Sequence, residues 1–197
     1  MSYHYFSSKP KPSTHLSVIW LKAHGMCFKF KTAEGVFSKS RVDLGSQILI
    51  KYLKVPESGR VLDLGCGYGP IGIVLAKLNP HLEVHMIDVN PLALQLAREN
   101  AEINGVKNVF FHVGDCFEPV KSIKFRAIYM NPPLSAGYKV VFKMISQSYA
   151  NLEDSGWLQV VIRKGVEVIT RKLRETFNNV EVVAKESGYR VLLSRKV

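Results

Sequence analysis

The sequence has few cysteines and no long hydrophobic run. Its 197 residues include three cysteines, Cys27, Cys66 and Cys116, whose wide spacing forms neither a disulfide framework nor a zinc-ligand pattern. We therefore expect a protein of the reducing cytoplasm without a metal site. No hydrophobic run is long enough to span a bilayer, and the first residues lack the charged start and apolar core of a signal peptide, so we expect no membrane association.

Acidic residues are scarce relative to basic ones. The chain has 27 lysines and arginines against 16 aspartates and glutamates, a net charge of +11. Such an excess predicts a polyanionic partner, most simply RNA or DNA. The alternative is a generally basic protein without such a partner, and charge alone does not separate the two interpretations.

Strand-like and helix-like segments alternate from residue 60 onward. This alternation predicts a parallel, doubly wound sheet. Two β-rich runs at 180–186 and 189–194, separated by Ser187-Gly188, predict an antiparallel hairpin at its end. An earlier hairpin is predicted around residues 23–25. The predicted strands of the alternating region are 60–64, 82–87, 109–113, 125–130 and 157–162, and its helices are 70–78, 91–104, 138–152 and 165–178.

A glycine-rich turn follows the first of these strands. Gly65, Gly67 and Gly69 alternate along the chain, and Pro70 then occupies the first turn of a helix, where a missing N–H costs nothing. A dinucleotide site has the spacing G-x-G-x-x-G, which this turn lacks. Asp63, just before the turn, would repel a pyrophosphate but suits a cationic ligand. The segment resembles motif I of the S-adenosylmethionine (SAM)-dependent methyltransferases. The alternative is a glycine-rich turn without a ligand.

A second acid ends the next predicted strand. The number of residues between Asp63 and Asp88 is close to that expected for the ribose-binding acid of a β-α-β unit. The carboxylate of Asp88 can accept hydrogen bonds from both ribose hydroxyls of an adenosine. Asp88 could instead cap the following helix, although Asn90 is the better-placed cap.

The segment Asn131-Pro132-Pro133-Leu134 follows the fourth predicted strand. Open α/β sheets bind ligands at the carboxyl ends of strands. The prolines have no N–H, so this turn offers carbonyl acceptors, to which the Asn131 side chain adds another. Convergent acceptors suit a planar amino group, which they would orient for attack on a sulfonium methyl. The alternative is a plain turn that ends a buried strand.

This pattern resembles the N-P-P-aromatic motif of methyltransferases that modify exocyclic or amide nitrogens. With residues 35–49, 63–69 and 88–90, the resemblance extends to the "small domain" methyltransferases that methylate guanine N2 of small-subunit ribosomal RNA, and it covers about residues 15–195. It implies a Rossmann-like fold with a seven-stranded sheet, SAM as cofactor, and ribosomal RNA or a ribosomal subunit as partner. It also implies catalytic roles for Asn131, Pro132 and Pro133, and cofactor contacts for Phe37, Ser46, Asp63, Gly65, Cys66, Gly67, Asp88, Val89, Asp115, Cys116 and Asn131.

The resemblance divides the chain into three expected parts. These are a flexible arm over residues 1–14, a hairpin and cofactor-covering segment over 15–55, and the methyltransferase domain over 56–197. Relatives often carry a degenerate second copy of the domain upstream, and this chain looks like the compact form. The oligomeric state is not predicted.

One departure from the family pattern concerns the target base. Leu134 stands where the family has the aromatic residue that stacks on a flipped base. We expect Phe37, Tyr138 or Tyr68 to replace it, or aliphatic contact to suffice. Two other functions compete with RNA methylation: methylation of a protein glutamine amide, which the same geometry would serve, and RNA binding without catalysis. A nicotinamide-dependent oxidoreductase is disfavoured by the glycine spacing.

Overall fold

A computed structural model describes residues 16–33 and 41–197, which form one seven-stranded sheet, its flanking helices and a separate hairpin. The strands are β1 Leu16–Ala23, β2 Met26–Ala33, β3 Gly59–Leu64, β4 Leu82–Asp88, β5 Val109–Val113, β6 Phe125–Met130, β7 Leu152–Ile162, β8 Glu181–Glu186 and β9 Tyr189–Arg195. The helices are α1 Leu44–Lys51, α2 Pro70–Leu78, α3 Pro91–Ile103, α4 Tyr138–Asn151 and α5 Val166–Phe177.

The large sheet has the strand order β5-β4-β3-β6-β7-β9-β8. The five strands from β5 to β7 are parallel, and β9 pairs antiparallel with both β7 and β8. Chain order reverses between β3 and β6, so the carboxyl ends of these two strands flank a topological switch point. Ligands of open α/β sheets bind at such a point.

Two hydrophobic clusters cover the two faces of this sheet. Successive residues of a strand point to opposite faces, and Val61 accordingly joins the cluster with α1, α2 and α3, whereas Leu62 joins the one with α4 and α5. Both side chains are fully buried. The central strands are therefore held on both faces, which makes the edge at their carboxyl ends a rigid platform.

The N-terminal hairpin is attached to helix α3 by two asparagines one helical turn apart. Asn104 accepts from the Lys29 amide at 3.1 Å and donates to the Lys29 carbonyl at 2.8 Å. Asn100 makes the same pair of contacts with Lys31, at 2.7 and 2.9 Å. The carboxamides thus satisfy the open edge of β2 as a neighbouring strand would. Asn100 also donates to the Tyr68 carbonyl at 3.0 Å, which ties the hairpin to the glycine turn.

The predicted architecture is confirmed, including the C-terminal antiparallel hairpin and the hairpin that precedes the large sheet. Strand β7 is longer than predicted, because Leu152 already pairs with Phe125 ahead of a bulge. Two short 3₁₀ turns, Glu118–Val120 and Leu134–Ala136, were not predicted. The arm over residues 1–14 lies outside the described residues, and the three-part division stays a prediction. Within residues 16–33 and 41–197, no helix has the length and apolarity to cross a membrane.

A histidine pair, in which His85 is buried and His112 half-buried, connects β4 and β5. The Nδ1 atom of His85 lies 2.9 Å from Nε2 of His112, and the His85 ring stacks on Phe110 and meets Phe125 edge-on. Burial, helped by the positive charges of His112 and Arg60, lowers the pKa of His85 from 6.5 to about 4. The folded protein therefore keeps this imidazole neutral where the unfolded chain would protonate it.

This pair predicts a loss of stability in mild acid. As the pH falls from about 6.5 towards 4, the unfolded chain takes up a proton that the folded state refuses, so the free energy of unfolding decreases. His85→Phe should flatten this dependence, measured as the change in melting temperature between neutral and mildly acidic buffer. The exposed His81 supplies the control His81→Phe. Equal acid sensitivity of His85→Phe and wild type would contradict the assignment.

Candidate active site

The glycine turn after β3 presents open backbone at the switch point. Gly65, Gly67 and Gly69 have φ angles of 76°, 58° and 92°, a region that side chains disfavour. The amides of Gly65 and Cys66 both donate to the Ile87 carbonyl at 2.9 Å, which fixes the turn to the end of β4. A Cβ at Gly67 would meet nothing within 4 Å, so this part of the turn has room for a ligand.

Asp63 is buried behind the turn. Its Oδ2 accepts a 2.8 Å hydrogen bond from the Gly72 amide of α2. The helix approaches the sheet closely at this glycine, since a Cβ there would lie 2.7 Å from Met86 Cε of β4. The Oδ1 of Asp63 is buried and has no partner among the described residues. Burial raises the pKa of Asp63 to about 7, and the charge of Asp88 adds to the rise. An orphaned buried carboxylate oxygen is costly, and a cationic or amine-bearing group would satisfy it.

Asp88 holds the glycine turn from the other side. Its Oδ2 accepts from the Gly67 amide at 2.8 Å and its Oδ1 from the Asn90 amide at 2.9 Å. Each carboxylate oxygen has a second lone pair, so the half-buried side chain can still accept from a ligand. Asn90 caps α3, with its side chain accepting from Leu92, as predicted. Val89, with half of its surface exposed, offers an apolar contact beside the acid.

Asn131 is oriented by two residues from the segment before β3. Its Nδ2 donates to Asp43 Oδ1 at 2.9 Å and to Ser46 Oγ at 3.1 Å. Asp43 is itself the N-cap of α1 and accepts from the Ser46 amide at 3.0 Å. Because both amide protons are engaged, Oδ1 of Asn131 is directed away from this pair. It has no partner among the described residues, and it is therefore a fixed acceptor.

The two prolines after Asn131 have different environments. Pro132 is buried and Pro133 is exposed. The Pro132 carbonyl accepts from the Leu134 amide and the Pro133 carbonyl from the Ala136 amide, each at 2.9 Å. The second bond belongs to the 3₁₀ turn Leu134–Ala136, and each of the two carbonyls keeps one lone pair. The side-chain oxygen of Asn131 is thus the less encumbered acceptor of the turn.

The predicted contacts after β5 lie at the same edge of the sheet. Asp115 pairs with Lys143, and this hydrogen bond holds the pKa of Asp115 below its usual range. Cys116 follows with a φ of 54°, and burial raises the pKa of its thiol to about 12. Burial likewise raises the pKa of Cys66 well above its usual value. Neither thiol is a nucleophile at neutral pH, so both offer packing rather than covalent chemistry.

These residues fit the predicted cofactor. The glycine turn leaves room beside β3, Asp63 has an orphaned buried oxygen for a cationic group, and Asp88 keeps acceptor capacity beside the turn, as ribose hydroxyls would require. Phe37, predicted to cover the cofactor, lies outside the described residues. Across residues 16–33 and 41–197, no three histidine, cysteine or acidic side chains cluster as metal ligands would.

Two residues at the site were not predicted from the sequence. Asp43 precedes a helix by one residue, a position typical of an N-cap, but nothing in the sequence shows that it also reaches Asn131. Tyr189 begins β9, and its ring edge lies beside Gly45. Both contacts join segments far apart in the chain, so local patterns do not reveal them.

The fold and this site define a Rossmann-like methyltransferase. The family described as "Methyltransferase small domain" matches residues 27–193, and the chain belongs to this family. An uncharacterized protein of Bacillus subtilis, YbxB, is 43% identical over the full length of both chains.

Other relatives carry a functional name. The ribosomal RNA small subunit methyltransferase C of Aeromonas hydrophila is 37% identical over 82% of this chain and 47% of its own length. The 16S rRNA N2 methyltransferase RsmC of T. thermophilus, solved with AdoMet and guanosine, shares the fold with a TM-score of 0.85 at 24% identity, over 95% of this chain and 52% of that one. The chain thus spans about half the length of these two methyltransferases.

The geometry predicts that Asp88→Ala weakens SAM binding. The substitution removes an acceptor for the ligand and also releases the Gly67 amide, so we expect a loss of about 1–3 kcal/mol in calorimetry. The control is Asp154→Ala, whose side chain is 98% exposed and remote in sequence from the turn. Unchanged affinity in a folded Asp88→Ala protein would show that the carboxylate does not contact the cofactor.

Proposed function

We propose that the protein is a SAM-dependent methyltransferase that acts on an exocyclic amine of RNA, guanine N2 of small-subunit ribosomal RNA. The observation that carries the proposal is the fixed carboxamide of Asn131. Both of its amide protons are engaged by Asp43 and Ser46, so its oxygen faces the site as an acceptor. The names of the relatives support SAM and ribosomal RNA.

The side chains act by positioning. When bound, SAM supplies an electrophilic methyl group on a sulfonium. Oδ1 of Asn131 accepts an N–H of the target amine, which directs the nitrogen lone pair out of conjugation and towards that methyl group. The nitrogen gains positive charge as the N–C bond forms, so its hydrogen bond to Asn131 strengthens in the transition state. The extra proton leaves to water, and the departing thioether is neutral.

The charge of the site edge supports an RNA substrate. Arg41 precedes α1, Lys139 lies in the first turn of α4, and Arg163 and Lys164 lie between β7 and α5; all four are exposed, whereas Asp115 is already paired with Lys143. Cations from distant parts of the chain thus lie at the carboxyl edge of the sheet, which suits a phosphate backbone. The basic excess of the sequence also makes Lys9, Lys11 and Lys39 candidates for RNA contact, and these three lie outside the described residues. A ribosomal substrate implies a cytoplasmic site of action.

The substrate class is tested by offering two acceptors to the same enzyme. Small-subunit RNA from cells lacking this protein and a release-factor protein with a glutamine target are incubated separately with methyl-labelled SAM. Label in the RNA supports the proposal. Label in the protein alone would assign glutamine methylation, and SAM binding without transfer to either acceptor would leave a non-catalytic module; both outcomes contradict it.

Asn131→Ala should leave SAM affinity nearly intact and lower single-turnover methylation of RNA by about 100-fold or more, because the lost bond matters mainly in the transition state. Asn131→Asp should be equally damaging. It retains an acceptor oxygen, but it places a second carboxylate against Asp43 at the position of a 2.9 Å hydrogen bond.

The double variant Asp43→Asn with Asn131→Asp sharpens this test. It restores a donor opposite an acceptor and keeps a residue that caps α1. We expect it to recover activity relative to Asn131→Asp alone, with SAM affinity as the control for folding. Wild-type turnover of Asn131→Ala, or no recovery in the double variant, would contradict the proposed orientation.

The basic edge predicts salt-dependent RNA affinity. Lys139→Ala and Lys164→Ala should each reduce the slope of log affinity against log salt by about 1, the expected effect of one lost phosphate contact. Lys107 precedes β5 and lies at the opposite edge of the sheet, so Lys107→Ala is the matched control. Filter binding across a salt series measures the slopes. Identical slopes in all four proteins would rule out RNA contact at this edge.

A further inference from the structure

Tyr68 and Tyr138, two of the residues expected to stack on the target base, pack against other parts of the protein. Leu134 does not supply an aromatic ring. Tyr68 is only 3% exposed and its ring meets Phe30 edge-on, so it belongs to the core. Tyr138 is exposed, but its hydroxyl end packs against Gly165, the N-cap of α5. A different aromatic residue lies beside Asn131.

That residue is Tyr189, the first residue of β9. A Cβ built on Gly45 would lie 3.1 Å from Tyr189 Cε1, 3.2 Å from Asn131 Nδ2 and 3.1 Å from Asp43 Oδ1. The ring edge of Tyr189 thus packs against the same point as the hydrogen bond that orients Asn131. A side chain at position 45 would crowd all three groups, so the glycine favours this approach, and the half-buried tyrosine borders the Asn131 turn.

Arg163 lies over the ring of Tyr189. Its guanidinium is 5.6 Å from the centre of the Tyr189 ring. Ile162 pairs with Arg190, which places Arg163 and Tyr189 opposite one another at the end of β7 and the start of β9. Arg163 is exposed, and it carries five N–H donors in a planar arrangement.

The strand register sets the spacing between Arg163 and Asn131. Met130 pairs with Val160 in parallel strands, so Asn131 lies one strand away from Val161, and Arg163 is two residues further along. Strands are about 4.8 Å apart and rise about 3.3 Å per residue. The Cα atoms of Asn131 and Arg163 are therefore about 8 Å apart, and a planar base in the gap between the ends of their side chains would have Asn131 at one edge and Arg163 at the other.

Guanine has groups that match both ends of this gap. Its N2 amine lies on one edge, and its O6 and N7 acceptors lie on the opposite edge, where arginine binds them in bidentate fashion. Adenine presents an amino donor in place of O6, which would face the guanidinium donors. A base that binds Arg163 edge-on also lies against the ring of Tyr189.

We propose that Arg163 and Tyr189 form the target-base subsite: Arg163 selects guanine through O6 and N7, and Tyr189 packs against the base in place of the aromatic that Leu134 lacks. This inference rests on the proposed function, since it names the residues that would give guanine specificity to that site. Both are positioning residues, and they predict a change in base selectivity that a merely structural role would not produce.

The test measures nucleoside binding rather than methyl transfer. Guanosine and 7-deazaguanosine, which lacks only the N7 acceptor, are titrated by NMR into protein saturated with S-adenosylhomocysteine. Wild type should bind guanosine about 10-fold or more tightly than the deaza analogue. Arg163→Ala should bind guanosine more weakly than wild type by a similar factor, and it should bind the two nucleosides with equal affinity. Arg171, one of two exposed arginines in α5, provides the control Arg171→Ala, which should behave as wild type.

Tyr189 is tested with two substitutions. Tyr189→Leu should weaken the binding of both nucleosides by the same factor and so keep the preference for guanosine over 7-deazaguanosine. Tyr189→Phe should bind both as wild type does, because it retains the ring. Unchanged affinity for S-adenosylhomocysteine verifies the fold of each variant. Discrimination that survives in Arg163→Ala, or wild type that binds no guanosine, would overturn the proposal. Selective guanosine binding without methyl transfer to RNA would instead overturn the proposed function and leave the subsite intact.

Discussion

The carboxylate of Asp43 connects the two parts of the acceptor site. One of its oxygens accepts both from the Ser46 amide, in the first turn of α1, and from the side chain of Asn131, directly after β6. A segment outside the sheet thereby sets the direction of a residue within it. Helix α1 is held in turn by Gln159 of β7, which accepts from Lys54 and donates to Tyr52. The carboxamide is therefore fixed before any substrate binds.

The two halves of the site follow from the reversal of chain order between β3 and β6. The β3 half presents open glycine backbone and two acids, which suit a cationic ligand with ribose hydroxyls. The β6 half presents a rigid acceptor and a basic rim, which suit an amine on a polyanion. A transfer between two bound ligands requires that both be held in a fixed geometry, and two adjacent, rigid halves of a site provide this. Of the acids at this edge, Asp63 is buried and Asp115 is paired with Lys143.

Local patterns in the sequence were sufficient for the fold and for the individual motifs. Alternation of strands and helices, the glycine turn and the proline pair predicted the sheet, its final hairpin and the order of site residues along the edge. Contacts between distant segments were beyond such patterns. The bond from Asn131 to Asp43 and the approach of Tyr189 to Gly45 depend on how α1 and β9 pack on the sheet. The expected effect of Asn131→Asp also depends on such a contact, because Asp43 Oδ1 lies 2.9 Å from Asn131 Nδ2.

The identity of the methylated nucleoside tests the account most directly. Small-subunit RNA from cells lacking the protein is incubated with the purified enzyme and SAM, digested to nucleosides and separated by liquid chromatography with mass spectrometry. The account predicts that N2-methylguanosine appears and that no other methylated nucleoside increases. A methyl group on a ribose, a ring carbon or a ring nitrogen would contradict it, because the Asn131 acceptor orients an exocyclic amine and none of those atoms.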